Sequence, residues 1–239
     1  MSGHSKWAQI KRQKGAADQK KGQLFSKLAR EIAIAAKGGG DPASNFKLRM
    51  VVDKARAAAM PNENITRAIK RGTGEGDGGT LEEIIYEGYG PFGTAFLVET
   101  ATDNKNRTAS EIKHIFQKHG GHLGAVGGVA WQFVTRGQIL VERSGTKNLS
   151  DIELAAIDAG AEDVRESPEG LEIYSTPADL NKVKESVSVA GGKIAQAAII
   201  KESTQGLVLT EEQKPKVDAL FAALEEDEDV IAVHTSANL

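Results

Sequence analysis

Residues 137–202 read GQILVERSGTKNLSDIELAAIDAGAEDVRESPEGLEIYSTPADLNKVKESVSVAGGKIAQAAIIKE. Gln138-Ile139-Leu140-Val141-Glu142 has the composition of a strand, and 150–159 reads as a helix. Two further strands, 162–165 and 171–174, flank the turn Pro168-Glu169-Gly170. A helix over 177–189 and a strand over 193–200 complete the order βαββαβ, which is the ferredoxin-like plan.

The flanks read as pieces of one interrupted domain. Downstream come a strand at 207–209, a helix over 210–226 and a strand at 230–233. Upstream, strands near 84–86 and 94–98 flank the turn Gly88-Tyr89-Gly90-Pro91-Phe92-Gly93, giving a hairpin. A helix over 106–118, ended by Gly120-Gly121, and a strand at 129–134 follow. The C-terminal βαβ tail can complete the sheet begun at residue 81. The expected organisation is a middle α+β domain, 80–135 plus 205–239, with a second α+β domain, 136–204, inserted in it.

Before residue 80 the apolar period is helical. Leu24, Leu28, Ile32 and Ala35 make one stripe over 22–37, which Gly38-Gly39-Gly40 ends. Asp41-Pro42 offers an N-cap followed by a first-turn proline. The helix it opens runs to about residue 60 with Leu48, Val52, Ala55 and Ala59 on one side, and Pro61 breaks it. A third helix over 62–71 closes at Gly72. Residues 73–79 form a Gly-rich linker. Gly74, Gly76 and Gly79 fit G-x-G-x-x-G, but they follow a helix and precede a strand, the reverse of the dinucleotide-binding context, and Glu75 and Asp77 would repel phosphate. The whole is an α+β multidomain chain: a helical domain over 1–72, then two ferredoxin-like α+β domains, one inserted in the other.

Composition narrows the function. The 239 residues are 40% hydrophobic but only 5% aromatic, so the cores are aliphatic. There is no cysteine, which excludes disulfides, thiolate metal sites and a cysteine nucleophile and suits a reducing cytoplasm. No apolar run reaches the roughly 20 residues of a membrane helix, and the polar N-terminus lacks a signal-peptide core. The net charge of −3 hides a segregation. Residues 1–72 carry 16 Lys and Arg against 5 Asp and Glu, a net of +11, and the remainder has a net of −14. Such asymmetry points to a polyanion partner for the basic end.

Within the first 30 residues Lys6, Lys11, Arg12, Lys14, Lys20, Lys21, Lys27 and Arg30 face one acid, Asp18. Cations in that density release counterions from phosphate backbones. Trp7 could stack on a base, although lone aromatics more often serve a core. Arg67, Lys70 and Arg71 form a second basic group that also suits a helix C-terminus. Lys105 and Arg107 lie at a helix start within Asp103-Asn104-Lys105-Asn106-Arg107-Thr108, where free backbone N–H groups could meet a phosphate unless Asp103 or Asn106 caps them. His114, His119 and His122 lack the companions of a metal set and read as surface residues. Glu225-Glu226-Asp227-Glu228-Asp229 reads as a solvated helix end. No catalytic constellation or cofactor motif is present in the sequence, so a binding function is expected and an enzymatic one is not.

Several long motifs, in order, resemble the YebC/PmpR family, which includes a mitochondrial translational activator. They are Gly3-His4-Ser5-Lys6-Trp7, Gly38-Gly39-Gly40-Asp41-Pro42, Met60-Pro61, Arg67-Ala68-Ile69-Lys70-Arg71-Gly72, Tyr86-Glu87-Gly88-Tyr89-Gly90-Pro91, Thr102 through Thr108, and Gly120-Gly121-His122-Leu123-Gly124. Phe46, Ala59 and His122 depart from the pattern, standing where proline, asparagine and asparagine are expected. The resemblance implies three domains, the first helical and one of two α+β domains inserted in the other. It implies nucleic acid as partner: promoter DNA for members described as transcriptional regulators, or ribosomal and transfer RNA for members that act at the ribosome on proline-rich stalls. It implies no enzyme activity, cofactor or small-molecule ligand.

Overall fold

The computed structural model describes Trp7 and residues 19–76, 79–146 and 148–238. The chain divides into two compact units. Of the described residues, one comprises those from 19 to 132 with 205–238, and the other those from 133 to 204 together with Trp7.

In the larger unit, α1 (Gln19–Ala36), α2 (Phe46–Ala57) and α3 (Asn62–Thr73) precede the hairpin β1 (Glu82–Tyr89) and β2 (Ala95–Thr102). Then come α4 (Lys105–Lys118) and the short β3 (His122–Leu123). The smaller unit supplies β4 (Phe133–Glu142), α5 (Leu149–Asp158), β5 (Asp163–Ser167), β6 (Gly170–Ser175), α6 (Leu180–Val189) and β7 (Ile194–Ser203). The larger unit resumes with β8 (Leu207–Val208), α7 (Lys214–Glu226), β9 (Val230–Thr235) and β10 (Ala237–Asn238).

The smaller unit follows the βαββαβ reading strand for strand. Its sheet order is β5-β6-β4-β7, with every neighbouring pair antiparallel. Ile139, Val141, Leu171 and Ile173 are buried, as are Ile152, Ala156, Leu180, Val183 and Val187 of its two helices. The strands expected at 129–134 and 138–142 differ from the observed pair: 130–132 is a 3-10 turn and β4 is continuous from Phe133. Thr135, Arg136 and Gly137 interrupt the apolar run, but their backbone is held by pairing to Lys201, Ile200 and Ile199.

The larger unit has the order β3-β1-β2-β9, again antiparallel throughout. Strand β8 leaves this sheet and pairs in parallel with β10. On one face Phe96, Val98, Val230 and Val233 pack with Ile112 and Phe116 of α4 and Val217, Leu220, Phe221 and Leu224 of α7. An edge-to-face contact between Phe96 and Phe116, centroids 5.9 Å apart, sits within that core.

Helix α1 is buried on two sides. Leu28, Ile32, Ala35 and Ala36 join Leu48, Val52, Ala55, Met60, Ile65 and Ala68 of the other two helices. Ala33 and Ile34 instead meet Ala101 and Ile231 of the sheet and Leu81 just before β1. Helix α3 crosses α1 at Gly72, where an added Cβ would lie 2.2 Å from the Ala33 carbonyl oxygen. The helix therefore continues through Gly72, which the sequence reading made its terminus, and ends at Gly74 in the left-handed conformation, φ 81°. Helix α2 likewise starts later than Asp41-Pro42 suggests. Asn45 is its N-cap, with the side-chain oxygen accepting from Leu48 N–H at 3.0 Å, and Phe46 takes the first helical position. At its far end Met60 N–H donates to Ala55 and Ala59 N–H to Arg56, both at 2.9 Å, the Schellman pattern. That places Ala59 at φ 59°, where its Cβ is strained.

Candidate nucleic-acid interface

The basic residues separate into three groups. Lys6, Lys11, Arg12 and Lys14 lie outside the described residues, as does the side chain of Lys20. Trp7 is buried, 5% exposed, and belongs to the unit of residues 133–204. It serves a core in this structure and presents no face for stacking.

A second group holds the larger unit together. Its hub is Asp229, 2% exposed. Arg30 Nη2 lies 3.0 Å from one carboxylate oxygen and Arg107 Nη2 2.9 Å from the other. The hydroxyls of Thr102 and Thr108 donate to that second oxygen at 3.1 and 2.6 Å. Burial acts to raise the Asp229 pKa. The Thr108 and Arg107 hydrogen bonds and the two guanidinium charges more than offset it, so the carboxyl titrates below its ordinary value. The residue read as part of a solvated acidic run is thus a buried anchor. Lys27 donates to the Glu225 carbonyl, and burial lowers its ammonium pKa against the pull of Glu225 and Asp227. Arg71 donates to Gly79 O at 3.2 Å and stands 3.6 Å from Asp103. Lys105 pairs with Glu82 at 2.7 Å. The first turn of α4 is capped by Asn104, which accepts from Arg107 N–H at 3.1 Å, so neither Asp103 nor Asn106 is the cap.

The third group is exposed. Lys21 lies near the start of α1, and Arg67 and Lys70 lie three residues apart on α3 with Thr66 beside them. Lys37 and Lys47, which the sequence reading left out, are exposed in the same helical segment. Their signal was the net charge itself, to which both contribute.

Away from the helices, one loop is fixed by an unusual number of polar contacts. The buried Glu87 carboxylate accepts from Gly127 N–H at 2.6 Å and from Val129 and Ala130 N–H at 2.8 Å each. Burial works to raise the Glu87 pKa, but these three donors prevail and lower it. Tyr89 donates its hydroxyl to Gly128 O at 2.9 Å, and its ring lies 5.6 Å from that of His122. Among the described residues no group of three His, Asp or Glu is arranged to hold a metal ion, and no helix is long and apolar enough to cross a membrane.

Family models match nearly the whole chain. Residues 5–75 match the N-terminal domain of the TACO1/YebC protein, and residues 81–237 match the TACO1/YebC second and third domain. The chain belongs to the TACO1/YebC family. A family relative from Thermoanaerobacter pseudethanolicus, named a probable transcriptional regulatory protein, is 50% identical over 240 residues, covering 100% of this chain and 98% of its own. Another of that name, from Moorella thermoacetica, is 50% identical over 242 residues, covering 100% and 96%. The crystal structure of a conserved hypothetical protein from Aquifex aeolicus superposes with a TM-score of 0.84 at 44% identity, over 92% of this chain and 91% of that one. Helices followed by two antiparallel sheets are thus the fold of this TACO1/YebC member.

Proposed function

We propose that this protein is a nucleic-acid-binding regulator of gene expression that grips the phosphate backbone with its basic N-terminal segment. The observation that carries the reading is the charge segregation, a net of +11 in residues 1–72 against −14 beyond. The acidic remainder is repelled by phosphate and orients the basic end toward it. The exposed Arg67 and Lys70 support a contact along α3, whereas Arg30 and Arg107 are engaged by Asp229. The transcriptional names of the relatives make duplex DNA the first ligand to test. A ribosomal role on RNA is the second reading, favoured by the exposed aromatic described below.

The test is a salt titration of binding to duplex DNA and to a structured RNA, with the wild type and the Lys11→Ala, Arg12→Ala, Lys14→Ala triple variant. Each lost contact with duplex DNA makes the slope of log affinity against log salt shallower by about 0.9, so the triple variant loses about 3. An unchanged slope and affinity on both ligands refutes the role of the basic segment. Loss on one ligand alone selects between DNA and RNA.

A further inference from the structure

Trp131 is 64% exposed. Tryptophan is highly buried on average, and Trp131 is more open than Phe92, at 45%. Its position is not left to chance. The indole Nε1–H donates to Gly128 O at 3.1 Å, the same carbonyl that accepts the Tyr89 hydroxyl. Gly127 turns the loop at φ 83°, and the Glu87 carboxylate fixes the backbone on both sides of Gly128. Val129 is fully buried two residues before Trp131. The ring is therefore held at its N–H edge on a rigid loop, and the rest of it is open.

The sequence on either side of it contrasts in composition with the rest of the chain beyond residue 72. Residues 112–141 contain no Asp or Glu, although that part of the chain is strongly acidic overall. The end of α4 carries exposed Lys113, His114 and Lys118, and His122, also exposed, lies against Tyr89. A pre-oriented aromatic face, with exposed His122 against the Tyr89 that shares its Gly128 anchor and with the Glu87 carboxylate buried under three backbone N–H donors, matches the flat face of a nucleic-acid base.

We infer that Trp131 stacks on an unpaired base of RNA, as a second contact separate from the basic N-terminal segment. Duplex DNA keeps its bases inside the stack, whereas loops and bulges of structured RNA present them. The inference rests on the nucleic-acid reading above and adds the chemistry of the partner.

The full-length protein contains two tryptophans, and Trp7 is buried, so the emission difference between wild type and Trp131→Phe isolates Trp131. Single-stranded oligouridylate RNA is expected to quench that difference signal. Trp131→Ala is expected to weaken RNA binding, followed by anisotropy, roughly 5- to 150-fold, the range for loss of one stacked base. Its salt slope should stay at the wild-type value, because no phosphate contact is removed. Duplex DNA should bind both proteins alike. RNA binding with no change in Trp131 emission and no loss in Trp131→Ala overturns the inference and leaves the basic segment's role standing. An equal loss on duplex DNA also overturns it. Binding of neither nucleic acid removes both readings together.

Discussion

The inward and outward sides of the helical segment use the same residue types for opposite ends. Inward, Arg30 joins Arg107 on Asp229, and Lys27 reaches the last turn of α7. Outward, Arg67 and Lys70 stand in solvent on α3. A cation held against a buried carboxylate ties elements together, whereas one that stands in solvent remains available to a partner. The basic surplus of residues 1–72 is therefore partly spent inside the molecule, and the remainder is what a polyanion can meet.

The largest expected effect that tests this contrast is at Asp229. Asp229→Ala leaves Arg30 without its carboxylate and should destabilise the larger unit by about 3 kcal/mol, the lower range for removing one partner of a buried pair. Denaturant unfolding measures it. The pH dependence has a definite sign. The folded carboxyl titrates below its ordinary value, so its contribution is complete above the unfolded pKa of about 3.9. It shrinks as the pH falls below that toward the folded pKa. The gap between variant and wild type should narrow in that acid range, and a constant gap would mean that the carboxylate charge is not what stabilises.

A smaller effect belongs to the seam between α1 and α3. Gly72→Ala gains up to about 1 kcal/mol of helix propensity. Against that, the new Cβ meets Ala33 O at 2.2 Å and the Ala36 Cβ at 2.7 Å, an overpacking worth about 1–3 kcal/mol. A net loss of about 1–2 kcal/mol is expected, and a thermal melt that rises instead would show that the helices can separate freely.

The smallest effect lies on the outward side. Ala59 is exposed at φ 59°, which costs alanine about 1–2 kcal/mol. Glycine relieves that strain and gives back about 0.4–1 kcal/mol through its freer unfolded chain. Ala59→Gly should stabilise by about 0.5–1 kcal/mol without changing nucleic-acid affinity; a loss of stability would place the strain elsewhere.

What was legible in the sequence follows from what is local. The βαββαβ order could be read because its turns and apolar alternation are written in consecutive residues. The second buried side of α1 was not, because Ala33 and Ile34 sit inside an unbroken apolar run that a single-stripe reading assigns to one side. The capping roles of Asn45 and Asn104 were lost among several nearby residues able to cap. At the candidate interface, Arg107 and Asp229 are 122 positions apart. No pattern in the chain announces that pairing, so cations that hold the fold looked identical to cations that could hold phosphate. The loop that carries Trp131 depends on Glu87, some 40 positions earlier, and its rigidity was invisible for the same reason.

The first residue of β4, Phe133, is paired with the last residue of β7, Ser203. Opposed residues of an antiparallel ladder have Cα atoms about 5 Å apart, so the inserted unit begins and ends at almost the same point in space. To the host it is a knot tied in a string whose two ends never moved. Ring-closure entropy barely changes with the length of what lies between such ends. The host sheet can therefore keep its register whatever the length of chain between those two points.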